Sequence, residues 1–260
     1  MNKNVFFQGT ILLTGFSITA PAVAKKQTKP NIIFIMADDH TTQGIGIYGS
    51  RLAKLNPTPT IDKLAKDGIV FQNAFCTNAI STPSRACIIT GQYSQTNGAL
   101  DLDGHIDPAK QYLPLEMKKL GYTTAMIGKW HLESEPSAFD FYEVLPGQGK
   151  YFNTDLLVKG KGEWPKNIVK NTGHSTDIIT DATLEYLKHR DKTKPFFLMH
   201  HYKAPHDMFE NAPRYDSYLE NVEIPEPASM YNQPFWGSEG TRGRNDSLIH
   251  KIGTSISDRN

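Results

Sequence analysis

Asn31-Ile32-Ile33-Phe34-Ile35-Met36 is an unbroken apolar run that ends on two adjacent carboxylates, Asp38 and Asp39. A strand apolar at every residue has no face for water, so it belongs in a sheet covered on both sides. Such sheets are built from parallel strands alternating with helices, and the chain continues in that pattern. Thr58-Pro59-Thr60 opens a helix whose apolar face is Ile61, Leu64 and Ala65 and which Gly68 stops. Ile69 to Phe75 reads as a strand, Pro83 to Thr90 as a short helix ended by Gly91, and Leu113 to Leu120 as a helix closed by Gly121. Tyr122 to Gly128 reads as a strand. Thr176 is placed to cap a helix running to about Arg190, with Ile178, Ile179, Ala182, Tyr186 and Leu187 inward. Pro195 to Met199 is a strand again. From about Asn211 the apolar periodicity fades, and no internal repeat or low-complexity tract is present.

The 260 residues suffice for a packed core without disulfides or a structural metal. Lys and Arg total 28 against 27 Asp and Glu, a balance that argues against nucleic acid or an acidic membrane as the main partner. Lys3, the apolar stretch Ile11 to Ala20 and Ala22-Val23-Ala24 form a secretory signal peptide over 1–24, cleaved after Ala24. The domain expected to follow covers 25–260, and its location is periplasmic or secreted. No later stretch has the length and apolarity to cross a bilayer. The two cysteines, Cys76 and Cys87, then meet an oxidising compartment. They are read as either a disulfide or two buried thiols.

Ligands of open α/β sheets bind beyond the carboxyl ends of the strands, and four polar clusters fall there. Asp38-Asp39 repel one another unless a cation lies between them, and a hard divalent ion is one answer; a turn cap beside a solvated carboxylate is the other. Ser81 stands near a helix start, where backbone donors favour an anion, and Arg85 returns to the same helix face four residues on. In extended geometry Lys129 and His131 share a face, with Trp130 opposite. His200-His201-Tyr202-Lys203-Ala204-Pro205-His206 follows the last strand. Several of its imidazoles as metal ligands, a single catalytic His, and simple packing beside the sheet are all compatible with its spacing. Together the clusters suit a tetrahedral anion held by cations and a metal.

The segment Ser81 to Gly91 resembles the signature of the formylglycine-dependent sulfatases: Cys or Ser, any residue, Pro, Ser, Arg, then a short helix to Thr-Gly. Pro30 to Asp39, Gly128-Lys129-Trp130-His131 and Ala204-Pro205-His206 stand around it in the family's order, so the resemblance runs from about Lys29 to at least Met208. It implies the alkaline-phosphatase-like α/β fold, a mostly parallel sheet flanked by helices, of which this chain carries the N-terminal portion. It also implies that Ser81 is oxidised to formylglycine by an oxygen-independent maturase. In that reading Asp38, Asp39 and the residue at Ser81 bind Ca²⁺, Arg85 holds the aldehyde hydrate and Lys129 contacts the sulfate. His131 acts as base, and His206 helps to protonate the leaving oxygen and contacts substrate. Asp39-His40-Thr41-Thr42-Gln43 and Gly128 to Leu132 are similar to the N-acetylglucosamine-6-sulfatase and heparan-type members, so the expected partner is a sulfated glycan. The segment Asn97 to His105, with Asp101, Asp103 and His105, is expected either to reach the sugar or to be a solvated loop.

The chain departs from the family pattern in its last part. No further strand ends in an Asp-Asn or Asp-His pair, no second sulfate-contacting Lys follows, and Ser257-Asp258-Arg259-Asn260 lacks a preceding apolar strand. A truncated domain, an unpaired apolar sheet edge and an incomplete calcium site are therefore expected. The leading functional reading is a sulfuric ester hydrolase acting on a sulfated glycan. A phosphohydrolase of the same fold is the second. An inactive homologue that at most binds sulfated glycan is the third.

Overall fold

The computed structural model describes residues 29–226. The proposed signal peptide and Ser257-Asp258-Arg259-Asn260 lie outside the described residues. Six strands form one sheet: β1 Ile32–Met36, β2 Thr123–Lys129, β3 Phe141–Leu145, β4 Leu156–Val158, β5 Ile168–Val169 and β6 Phe196–His201, in the order β1-β6-β2-β3-β4-β5. The first four in that order run parallel, and β4 and β5 are antiparallel. The helices are α1 Pro59–Asp67, α2 Ser81–Thr90, α3 Ser94–Asn97, α4 Tyr112–Lys119 and α5 Ser175–His189. This is the expected α/β architecture.

The sheet is buried on two faces by two sets of side chains. Ala86 and Ile89 of α2 pack with Met126, Tyr142, Phe197 and Met199 on one face, where Leu113 and Met117 of α4 also lie. Ile178, Ile179, Ala182, Tyr186 and Leu187 of α5 cover Ala125, Ile127, Phe196 and Leu198 on the other. Successive residues of β2 thus serve opposite layers, as the period of a strand requires. Register sets the site: Met36 of β1 and Gly128 of β2 both stand opposite His201 of β6. The residues just past these three strands therefore emerge at one end of the sheet.

Several expectations are corrected. β1 is an edge strand among the described residues, and Ile35 is 61% exposed. Ile69 to Phe75 forms no strand and pairs with none of the six. Its Ile69, Phe71 and Phe75 side chains are exposed, and α1 buries none of its residues. The short strands β3, β4 and β5 lie where the sequence pattern gives no expectation. The cap of α5 is His174, whose Nδ1 accepts from the Thr176 backbone N–H at 3.3 Å, rather than Thr176 itself. Both cysteines are free thiols; Cys87 is buried but Cys76 is exposed, so neither the disulfide nor the buried pair forms. No helix among the described residues is long and apolar enough to cross a membrane.

Candidate active site

Helix α2 starts at Ser81, two residues earlier than its proline suggests, which puts the Ser81 hydroxyl in the first turn. Arg85, one turn on, donates from Nε to Ser81 Oγ at 3.1 Å. His131 Nδ1 stands 3.2 Å from the same oxygen. With Arg85 as donor, the serine proton is directed to His131 Nδ1, so the imidazole carries its own proton on Nε2. His131 reaches this position because the chain turns sharply after β2, with His131 at φ 52°. Lys129 and His131 do converge, but through this turn rather than through continued extended geometry. Trp130 goes the other way and packs edge-on against Phe139 in the core.

Arg85 is 4% exposed, and its guanidinium is held on several sides. One terminal nitrogen donates to the Lys129 carbonyl at 2.7 Å, the other to Asp38 Oδ1 at 3.2 Å. Lys129, fully buried, brings Nζ onto the second Asp38 oxygen and also donates to Gln148 Oε1. Asp38 is thereby bound by two cations. Burial alone would raise its pKa, but the Lys129 hydrogen bond and the Arg85 and Lys129 charges outweigh that and hold it below the usual carboxylate range. Burial lowers the pKa of Lys129, and Asp38 opposes the shift. Burial, reinforced by Lys129 and Arg85, lowers His131 to about 4, so it is a neutral imidazole at physiological pH.

Asp39 takes the left-handed conformation, φ 60°, and turns its carboxylate outward, 58% exposed and 3.7 Å from His206 Nε2. His206 is anchored on its other nitrogen by Asp207 Oδ1 at 2.5 Å. The Asp38 backbone N–H donates to the Ala204 carbonyl at 3.2 Å, which fixes the segment after β6 against the segment after β1. Asp38, Asp39, Ser81 and Arg85 line one cavity of about 380 Å³ together with His40 and Asn78. Lys129, His131 and His206 stand around it rather than in its wall.

The four sequence clusters thus meet at one end of the sheet, except for His105 and His200. His105 is exposed and touches none of these groups. His200 donates or accepts at Thr183 Oγ1 at 2.6 Å within the α5 layer, and burial lowers its pKa to about 4. His201 Nδ1 stands 3.1 Å from the Lys129 carbonyl and 3.3 Å from an Arg85 terminal nitrogen, and its buried Nε2 has no hydrogen-bond partner among the described residues. No multi-histidine metal centre forms among the described residues. Gln148 and Tyr151 belong to the site without any motif announcing them, while Thr82 and Lys203 stand inside quoted motifs but were given no role. Thr82 Oγ1 lies 3.4 Å from His131 Nδ1, and Tyr151 donates its hydroxyl to the His206 carbonyl.

A calcium ion needs six to eight oxygen ligands. Among the described residues no group of three or more His, Cys, Asp or Glu is placed to hold a metal. Asp38 has both oxygens on cations, which leaves Asp39 and Ser81 as donors. The described residues alone do not fit a complete calcium site.

Known proteins place this arrangement. Residues 30–233 match the family described as Sulfatase. The chain is 43% identical over 232 residues to an N-acetylglucosamine-6-O-sulfatase of Bacteroides thetaiotaomicron, covering 88% of this chain and 40% of that protein. It is 40% identical over 124 residues to an ulvan-active sulfatase of Formosa agariphila, covering 46% of this chain and 24% of that one. A protein solved in complex with its substrate D-glucosamine-2-N,6-O-disulfate superimposes with a TM-score of 0.76 at 39% identity, over 89% of this chain and 48% of that one. The chain therefore spans less than half the length of these relatives. With its signature helix, its cation-bound Asp38 and its match over most of its length, the chain belongs to the sulfatase family.

Proposed function

We propose that this chain provides the nucleophile-bearing part of a sulfuric ester hydrolase that removes sulfate from a glycan, with 6-O-sulfated glucosamine as the favoured unit. The observation that carries the reading is the Ser81 hydroxyl held between the Arg85 guanidinium and a neutral His131. The similarity to a glucosamine-6-sulfatase supports the sugar.

An unmodified serine is a weak nucleophile, and formylglycine at this position would supply a hydrated aldehyde with two hydroxyls. Ser81 fits that role: it borders a cavity, and both a cation and a base already contact its oxygen. Arg85 orients the group at position 81 and offsets negative charge there. His131 Nδ1 accepts a proton from it, which its lowered pKa permits at neutral pH. His206, beside the exposed Asp39, is positioned to give a proton to the departing sugar oxygen. Calcium binding would require oxygen ligands beyond those described, and none of these roles depends on it. An oxygen-independent maturase acting on Ser81 and export through residues 1–24 to the periplasm or medium complete the proposal.

Parallel release assays with an aryl sulfate, an aryl phosphate and 6-O-sulfated glucosamine test it. Sulfate release from the sugar, abolished by Ser81→Ala, is the expected result. Faster phosphate release would favour the phosphohydrolase reading. A second reading, a sulfated-glycan binder without turnover, is favoured by one observation: Asp38 is saturated by Lys129 and Arg85. Sugar binding without release of sulfate would establish it.

A further inference from the structure

Successive residues of β3 serve opposite faces of the sheet. Tyr142 and Val144 enter the α2 layer, and Phe141 and Leu145 enter the α5 layer. Glu143 stands between the last two, so its carboxylate is set on the apolar α5 face. Its register neighbours there are Ile127 of β2 and Val158 of β4, both buried. Glu143 makes no hydrogen bond or ion pair with a described residue. The exposed Lys161 acts on it only at longer range, and burial raises its pKa. A half-buried carboxylate without a counterion is costly to keep.

Glu143 borders a cavity of about 640 Å³, on the face of the sheet opposite α2 and Ser81. Phe141, Leu156 and Ile178 give it an apolar floor, and the Tyr186 ring stacks on Phe141 with centroids 5.2 Å apart. Asp181 and Glu185 are exposed lining residues, and Glu185 already pairs with Lys188 and His189. Arg190, also in the wall, lies 4.4 Å over the Phe196 ring and donates to the Asp191 carbonyl. The charge that Glu143 feels is that of Lys161, not of Arg190.

An anion would meet three carboxylates in this cavity. A neutral apolar guest would leave Glu143 without a partner. A hard metal ion would need several more oxygens. An ammonium group on an apolar body satisfies the carboxylate and the aromatic wall together. The volume is that of a small-molecule site. We propose that this cavity binds a small organic ammonium ion, with Glu143 as counterion and Phe141 and Tyr186 as the wall for its apolar body. The site lies across the sheet from Ser81 and does not depend on the sulfatase reading.

NMR titration of the chain from Lys25 to Asn260 with benzylammonium and with benzyl alcohol, its neutral isostere, tests the proposal. The ammonium should bind saturably and about tenfold tighter than the alcohol, the effect of one charge-assisted contact. Glu143→Gln should bind the two probes alike. Asp181→Asn, at an exposed carboxylate, should keep the preference. Phe141→Leu should weaken the ammonium by loss of the aromatic face. No saturable binding of the ammonium overturns the proposal, as does equal affinity of the native chain for the two probes; neither result needs a variant. A preference that survives in a folded Glu143→Gln, or that Asp181→Asn removes, overturns the assignment to Glu143. Unchanged ammonium affinity in a folded Phe141→Leu contradicts the aromatic wall.

Discussion

Asp38 stands between Arg85 and Lys129, and all three side chains are almost completely buried. Removing one partner from a buried charge group costs far more than the group's net contribution, because the remaining charges stay desolvated. Asp38→Asn strands two cations and should destabilise the fold by about 3–5 kcal/mol, read as a fall in the urea midpoint. Arg85→Lys keeps the charge but loses the forked geometry that reaches Ser81 and Asp38 together. It should lower kcat for sulfate release at least about a hundredfold with a smaller change in KM, because its contact is to the reacting group rather than to the sugar. Equal losses in a variant remote from Ser81 would contradict that assignment.

His131 and His200 add a pH dependence. Both have folded pKa values lowered from 6.5 to about 4, chiefly by burial. The unfolded chain therefore binds more protons than the folded one between those values. Stability that is present above pH 6.5 is lost as pH falls towards 4, by up to about 3 kcal/mol for each group. Melting temperatures across this window should fall steeply, and His200→Gln, whose site is remote from Ser81, should flatten the slope. A melting temperature constant from pH 6.5 to 4 would contradict the burial of both imidazoles as neutral rings.

At the scale of elements, the sheet end is the device that assembles the site. β1 delivers Asp38, β2 delivers Lys129 and His131, and β6 delivers Lys203 and His206, while α2 lays Ser81 and Arg85 across them. Gly128 is the tightest point of this arrangement. It has φ +101°, and a Cβ there would stand 1.9 Å from the His201 carbonyl oxygen. Gly128→Ala must push β2 from β6 just before Lys129. A destabilisation of at least about 3 kcal/mol, or loss of soluble protein, is expected from chemical denaturation.

The elements also show what local sequence carries and what it does not. Ser81, Arg85, Asp38, Lys129 and His131 were legible because each sits in a short pattern tied to a strand end or helix start. Tyr151 was not, since its place is set by a contact to His206, over fifty positions away, and Lys203, though inside a quoted cluster, was given no role. Ile69 to Phe75 has a strand's composition but joins no sheet, so composition alone does not decide the state there. The brief β4 and β5 are made by pairing rather than by pattern. His174 displaces Thr176 as the cap of α5 because its ring is also fixed to the Glu210 carbonyl at 3.0 Å.

Across the whole molecule, one layer is finished and one is open. The sheet from β6 to β4 is covered on both faces, whereas β1 and the segment to Phe75 keep large apolar side chains in solvent. The Ser81 end of the sheet lies at the border between the two. Its described residues hold Ser81 against His131 and Arg85, but they offer too few oxygens for calcium. Titration of the chain from Lys25 to Asn260 with Ca²⁺ should accordingly give no saturable heat in the micromolar range. Tight binding would mean that residues outside 29–226 complete the site.

The central claim is that position 81 is the reacting group, matured from serine. Peptide mass mapping across Ser81, on protein purified from its native host, tests it most directly. The account predicts a peptide two hydrogens lighter than the serine form. An unmodified Ser81 in protein that still folds and is exported would contradict it.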